Sequence, residues 1–493
     1  MKKTAIVVGA GLGGLSTALR LTQHNFKVTI VEKYYQPGGR LNQLKLDGFT
    51  FDVGPSFMSM TYELDELFNY INEKNPLHLE PLDPLYNVFF EGRKEPFRVW
   101  KDLNKLEEEF IGIEKDISIK VDKFLNRAGQ FFHDTINTVV KQNFNNKIEY
   151  ILQLAKVPKK HIPYLIKSIW NEVSRTFESN ELRVIFSLVA FFLGSTPFRT
   201  PAIYTLLNYT EMRHNGYWKI AGGMYRLVDV IMEILKRRGV NFIFNSEIVD
   251  YTAKNDNVIN LIDQNGNKYE ADVFIINSDA AFFRGKVLRR KNFSEEKLDK
   301  LDWTMAPFTI YLGVEGKISS LAHHNYFLGN NFKGYASKIF TSSISPQKPY
   351  YYVNVLSKSE PQSAPMDSEN IFILCPVPDL RFKPDWSDSE ELADNIINDL
   401  SNRIEYDIKS KIKVMKIFTP IDWQNAFNLY KGSGLGLAHG INQVGAFRPK
   451  NKDEVFKNLY YVGASTIPGT GLPMVIISSK LVTERILNDR SLQ

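Results

Sequence analysis

Short β-branched apolar runs and stretches of helical spacing alternate along the chain, and their order predicts a mixed α/β protein. Residues 4–8 form a compact strand-like run, residues 15–23 read as a helix, and residues 27–31 read as a second strand that ends at Glu32. Much further on, 241–244, 247–251, 258–263 and 268–276 read as strands. The last two are paired across Asn265-Gly266, a dipeptide suited to a tight hairpin. An apolar strand beginning at Leu459 leads through a glycine-rich turn into a helix over 475–487. Between these parts, 86–98, 308–314, 350–356, 371–377 and 413–418 supply strands for a second, mixed sheet, and about 103–207 reads as mostly helical.

The longest strongly apolar run, 184–194, falls well short of the roughly 20 residues that span a bilayer as a helix. It is either a buried core helix or a helix at an interface or substrate channel. The N-terminal apolar run is broken by Gly9 after four residues, too early for a secretory signal. The expectation is a protein neither secreted nor membrane-spanning. Between 141 and 183 eight basic residues stand against four acidic ones. Ile148, Ile151, Leu152, Leu154 and Ala155 recur there at helical spacing, just before Pro158-Lys159-Lys160. Such a stretch is either a solvated face or one that lies on an anionic membrane surface.

Composition narrows the options. At 493 residues one core would stop growing, so two or three domains are expected. A single cysteine, Cys375, excludes an intrachain disulfide framework and cysteine-ligated zinc or iron–sulfur centres; no metal site is expected. A net charge of +6 over this length is too dilute to indicate nucleic acid. Aromatic residues reach 13%, enough for a large apolar cavity or an apolar surface.

Gly9-Ala10-Gly11-Leu12-Gly13-Gly14 sits between the first strand and the first helix, with Glu32 at the end of the second strand. Gly9 permits the tight turn, Gly11 lets a pyrophosphate approach the backbone, and Gly14 lets the helix lie close to the strand. The helix start offers free N–H groups to an anion. Glu32 accepts from a ribose diol and would repel a 2′-phosphate, so the unit suits an ADP moiety in either FAD or NAD. Pro37-Gly38-Gly39-Arg40 follows at once and adds backbone donors and a fixed cation for a diphosphate.

At Gly38-Gly39-Arg40 the sequence resembles the flavoprotein superfamily of amine oxidases and carotenoid desaturases, in which this motif marks FAD. The C-terminal stretch Gly463-Ala464-Ser465-Thr466-Ile467-Pro468-Gly469-Thr470-Gly471-Leu472-Pro473-Met474 closely resembles the signature of bacterial-type carotenoid (phytoene) desaturases. Segments at 217–224, 419–422 and 447–449 are similar too, so the resemblance runs from Ala5 to about Leu487 and is weakest over 103–207. It implies a Rossmann-like FAD domain built from 1–70, 225–300 and 440–493. A mixed-sheet substrate domain would take 71–102 and 301–439, and 103–224 would be a helical insertion. It implies FAD contacts at Gly39, Arg40, Ser56, Phe57, Val249, Asn277, Gly463, Gly471, Leu472 and Met474, beside Gly9, Gly11, Gly14 and Glu32.

The implied chemistry is desaturation: a hydride passes from an allylic carbon to flavin N5 and a neighbouring proton is lost. The implied partners are a long apolar carotenoid, a bilayer surface on the cytoplasmic side, and an electron acceptor that is a quinone or oxygen. Residues 52–60 and 469–473 look more like the hydroxycarotenoid 3,4-desaturase branch, with a phytoene- or lycopene-type desaturase as the alternative and an amine oxidase-like flavoenzyme as a more distant one. An amine oxidase usually has an acid where Ala464 stands. Ile467 replaces a histidine common in the desaturase signature. No acid–base residue stands out; His214, His439, Asp422 and Lys219 read as structural. Phe191, Phe192, Phe198, Tyr204, Tyr209, Tyr217 and Trp218 are candidates to line an apolar slot.

Overall fold

The computed structural model describes residues 2–489. Residue 1 and residues 490–493, the outer ends of the expected 1–70 and 440–493 segments, lie outside the described residues. Five parallel strands form the first sheet, in the spatial order Leu459–Tyr461, Val273–Ile276, Thr4–Val8, Lys27–Val31 and Asn241–Ile243. Widely separated stretches of sequence thus meet strand to strand.

Alternation along Thr4–Val8 explains how both faces are covered. Ala5 and Val7 pack with Leu15 and Leu19 of helix Leu12–Gln23, with Leu227 and Ile231 of helix Arg226–Arg237, and with Ile476 of helix Leu472–Asn488. Ile6 and Val8 face the other way, towards Ile248, Val258 and Leu261. Those three belong to a separate antiparallel sheet of Ile248–Lys254, Asn257–Asp263 and Lys268–Glu270.

The second large sheet has seven strands, ordered Ile412–Phe418, Ala306–Glu315, Ser368–Val377, Tyr351–Asn354, His324–Leu328, Tyr86–Phe90 and Phe97–Val99. All neighbours are antiparallel except His324–Leu328 beside Tyr86–Phe90. Ile310, Leu312, Ile371 and Ile373 bury one face under Leu392, Ile396 and Leu400 of helix Ser389–Ile404. Tyr311, Tyr326, Tyr352 and Phe372 turn the other face towards the helical cap. Helix Ile117–Thr135 runs through that cap, beside a series of shorter helices.

Several expected elements differ. The 268–276 strand is two strands. Lys268–Glu270 keeps the predicted hairpin, whereas Val273–Ile276 joins the parallel sheet. Asp272 marks the change of sheet: its carboxylate accepts from the Thr4 N–H at 2.7 Å. The first helix begins at Leu12, so the glycine-rich turn and the helix start coincide. The 184–194 run forms the ends of two helices, Asn180–Ser187 and Val189–Phe192. It serves both expected roles: Val184, Ile185 and Phe186 are core, while Phe191 and Phe192 face a cavity. Strand His324–Leu328 was not expected. All five of its residues are buried, so it lacks the polar–apolar alternation that reveals a half-exposed strand. Among the described residues no helix is long and apolar enough to cross a membrane.

Candidate functional site

A cavity of about 550 Å³ lies where the parallel sheet, the seven-stranded sheet and the cap meet. Its cradle end is made of backbone. Gly9 follows the first strand, Gly11 caps helix Leu12–Gln23, and Gly471 caps helix Leu472–Asn488. Both helices begin at the cavity wall with no side-chain cap and no acid in their first turn. Two sets of free N–H groups and two positive dipole ends therefore face the same space.

Side chains would spoil this cradle. A Cβ on Gly11 would stand 2.8 Å from Asn277 Nδ2. A Cβ on Gly14 would stand 2.2 Å from the Gly9 carbonyl oxygen, which fits its role in helix–strand packing rather than as a wall of the cavity. Gly39 has φ +59°, and its open face lies against Gly11.

Glu32 is buried, and its carboxylate accepts from the Ala10 N–H at 2.6 Å and the Tyr34 N–H at 3.0 Å. Burial nonetheless holds its pKa above the ordinary carboxylate value. It also lines the cavity, where its carboxylate can accept from a diol. Burial pulls the Arg40 guanidinium down, against the opposing charge of Asp279. Arg40 donates Nη1 to the Gly434 carbonyl at 2.9 Å, leaving the rest of its fork for a ligand. Asp279 is held in turn by the Ser465 hydroxyl at 2.7 Å.

The structure brings Gly9, Gly11, Glu32, Gly39, Arg40, Ser56 and Phe57 to this cavity, together with Asn277, Gly463, Gly471, Leu472 and Met474. Ser246, Glu247 and Ile248 line the wall as well; Val249, where the resemblance implies a contact through the backbone, follows them directly, with its side chain turned outward and 41% exposed. Of the expected slot residues, Phe191, Phe192 and Tyr217 line the cavity. Tyr209 instead packs among Phe132, His133 and His214 in the cap. Trp218 lies in strand Trp218–Ile220, paired with Leu79–Pro81. Tyr204 packs near His439, and Phe198 lines a separate surface groove.

The four polar candidates have structural partners. Asp422 completes the capping box of helix Pro420–Phe427, and Lys219 pairs with Glu80 at 2.8 Å. His214 sits among the cap rings, and His439 accepts from the Thr470 N–H at 3.3 Å. Cys375 is buried on strand Ser368–Val377, and burial pushes its thiol up to about 12, which suits an inert group.

Residues missed by the sequence reading complete the picture. Arg448 is buried and donates to five backbone carbonyls, those of Leu437, Ala438, Gln443, Ala464 and Thr466. It thereby ties the C-terminal glycine turn to the 437–443 loop. Asp52 is buried at the end of strand Phe49–Asp52 and accepts from the Met224 N–H at 3.1 Å. Burial pushes its carboxyl up to about 7. Phe57 stacks on His324 with ring centres 3.9 Å apart, and it reaches Tyr217 at 4.6 Å, joining the cradle to the aromatic wall.

The match to known proteins is decided by one family model. That of flavin-containing amine oxidoreductases matches residues 12–487. The chain belongs to this family. It is an FAD-dependent oxidoreductase. Among its curated relatives, a zeta-carotene-forming phytoene desaturase of Myxococcus xanthus is 32% identical, over 98% of this chain and 93% of the relative. A carotenoid 3,4-desaturase of Haloarcula japonica is 27% identical, over 98% of each chain. Among solved structures, an oxidoreductase from Methanosarcina mazei shares the fold with a TM-score of 0.62 at 16% identity, covering 98% of this chain and 100% of its own. Putrescine oxidase bound to putrescine does so with a TM-score of 0.62 at 12% identity, covering 99% of both chains. The residues present fit FAD: the uncapped start of helix Leu12–Gln23 and Arg40 suit its diphosphate, the uncapped start of helix Leu472–Asn488 suits its electron-rich ring, and a cradle that a Cβ would fill admits it closely.

Proposed function

We propose that this flavoenzyme desaturates a carotenoid, and that its reaction is the 3,4-desaturation of a 1-hydroxylated carotenoid of the hydroxy-γ-carotene type. One observation carries the reading: the FAD cradle and a wall of aromatic and aliphatic side chains share a single cavity. Leu188, Phe191, Phe192, Leu207 and Phe332 supply much of that wall. An apolar wall of this kind orients a polyene by shape and keeps water from the reacting carbons. Bound oxidised flavin supplies the hydride acceptor. A cation spread along a polyene gives up its neighbouring proton to a weak acceptor, so the wall needs no dedicated base. Both curated relatives described above act on carotenoids by name, and the Myxococcus xanthus relative supports phytoene as the alternative substrate.

In this reading Gly9, Gly11, Gly39 and Arg40 hold the diphosphate of FAD, and Glu32 holds the adenosine ribose. Gly463, Gly471, Leu472 and Met474 hold the flavin ring, with Ser56 and Phe57 on its substrate side. Residues 1–70, 225–300 and 440–493 form the FAD domain, 71–102 and 301–439 the substrate domain, and 103–224 the helical insertion.

A lipid substrate also needs a docking face. Ile148, Leu152 and Ile166 are 70%, 64% and 82% exposed, an unusual state for such side chains. Leu165 and Ile166 share a groove of about 520 Å³ with Ile441 and Phe447, and Phe447 lies beneath Lys147. Lys156, Lys159 and Lys160 belong to the same basic stretch. We assign this face to an anionic bilayer, into which the apolar side chains dip while the lysines meet the headgroups.

Purified holoenzyme incubated with 1-hydroxylated γ-carotene or phytoene in liposomes is expected to shift the polyene absorption to longer wavelength. No shift with either substrate, with flavin fully bound, rejects the reading. An Ile151→Glu, Leu152→Glu variant is expected to stay in solution when wild type sediments with anionic liposomes.

A further inference from the structure

Away from the cofactor cradle the cavity wall is mostly aromatic and aliphatic, and tyrosine hydroxyls gather where strands of the seven-stranded sheet approach the cap. Tyr326, on strand His324–Leu328, and Tyr217 both line the cavity there. Tyr352 stands beside them, 5.2 Å from Tyr326 between ring centres. The two neighbours are in opposite states. The Tyr352 hydroxyl meets Ser56 Oγ at 2.7 Å and His324 Nδ1 at 2.6 Å. The Tyr326 hydroxyl is buried and has no hydrogen-bond partner.

Behind this patch lies Glu211, 1% exposed, in the wide turn Thr210–His214, where the Asn215 N–H reaches back to the Thr210 carbonyl. Wide turns of this kind are often found at functional sites. The Tyr86 and Tyr217 hydroxyls lie within reach of its carboxyl, yet neither carboxyl oxygen has a well-formed hydrogen bond. Burial outweighs both hydroxyls and pushes Glu211 up to about 8, so at neutral pH it is a carboxylic acid, able to donate as well as accept.

A buried hydroxyl without a partner costs about 1–3 kcal/mol relative to one that is paired. A hydrocarbon in the cavity would leave that cost in place, whereas a substrate hydroxyl would relieve it. We propose that Tyr326 and Tyr217, the latter backed by Glu211, form a polar anchor in the substrate cavity that binds a hydroxyl group on an otherwise apolar polyene. The proposal rests on the carotenoid reading above and names the residues that read the substrate's functional group. Tyr326 and Tyr217 touch the ligand, while Glu211 is a positioning residue that acts through Tyr217.

The test compares binding of a 1-hydroxylated carotene with that of its unhydroxylated counterpart in detergent micelles. It follows quenching of tryptophan fluorescence by the polyene in flavin-loaded wild type, Tyr326→Phe, Glu211→Leu and Glu211→Gln. Wild type is expected to favour the hydroxylated ligand, and Tyr326→Phe to lower that preference by roughly fivefold to tenfold, the loss of one neutral hydrogen bond. Glu211→Leu should lower it similarly. Glu211→Gln, which can still pair with a tyrosine hydroxyl, should restore most of it. An unchanged preference in both Tyr326→Phe and Glu211→Leu overturns the anchor. So does a wild type that prefers the hydrocarbon, an outcome that leaves desaturation of phytoene standing. Failure to bind either polyene sinks the carotenoid reading itself and the anchor with it.

Discussion

The two ends of the cavity are built from different materials. The cofactor end is mainly backbone: Gly9, Gly11, Gly39 and Gly471, two helix starts and a few fixed charges. The substrate end is side chain: Phe57, Phe192, Tyr217, Tyr326 and Tyr352, brought together from loops, a cap helix and two strands. A ligand shared by many proteins can be read by backbone N–H groups, which every sequence has. A ligand peculiar to one enzyme must be read by side chains, which differ. Substitutions should therefore separate cofactor retention from substrate handling.

The largest expected effect is at Arg448. Arg448→Ala leaves five buried carbonyls without their donor, and about 4 kcal/mol of stability should be lost, measured by urea unfolding of the apoprotein. Lysine cannot reproduce the planar fork, so Arg448→Lys should recover little. Next comes Gly11→Val, whose side chain must enter the space beside Asn277. Flavin affinity should fall by about a hundredfold, roughly 2.7 kcal/mol, read as flavin absorbance per protein after dialysis. A variant as yellow as wild type would break the claim that the cofactor end is made of backbone.

Asp52 comes third. Its folded-state pKa of about 7 lies above the value of 3.8 expected when unfolded, so the folded chain holds a proton that the unfolded chain has lost. The stability it contributes is complete below about pH 4 and is lost as pH rises through 7. Between pH 5 and 7.5 wild type should lose roughly 2 kcal/mol relative to Asp52→Asn, measured by urea unfolding at each pH. A parallel pH profile in the two proteins would reject this. The smallest effect belongs to the substrate end. Phe192→Ala should lower kcat/KM by about fivefold through loosened substrate orientation while retaining wild-type flavin content. Loss of flavin in this variant would erase the contrast between the two ends.

The same contrast explains what the sequence made legible. Gly9, Gly11, Gly14 and Glu32 stand close together between two strands and a helix, and chemistry leaves few other uses for that spacing. The parallel sheet followed from them, and the C-terminal glycine turn marked the second helix start. Glu211 had no such context. It is one acid in a helical stretch, and its meaning comes from burial against Tyr86 and Tyr217, the first of which lies far back in the sequence on a strand of the seven-stranded sheet. Arg448 was visible only as part of a family-like tripeptide, because its partners are backbone carbonyls that carry no residue identity.

The placement of strand Leu459–Tyr461 and helix Leu472–Asn488 has a consequence for biosynthesis. The helix packs on Leu12–Gln23, and Arg20 reaches Ser479 at 3.1 Å, so helix Leu12–Gln23 waits for a partner translated much later. Closing so long a loop is slow, and the nascent chain meanwhile exposes the apolar face of strand Thr4–Val8. Flavin capture must then follow rather than accompany translation, and a chain released before residue 471 would emerge with half a cradle and no means of holding the pigment that colours the finished enzyme.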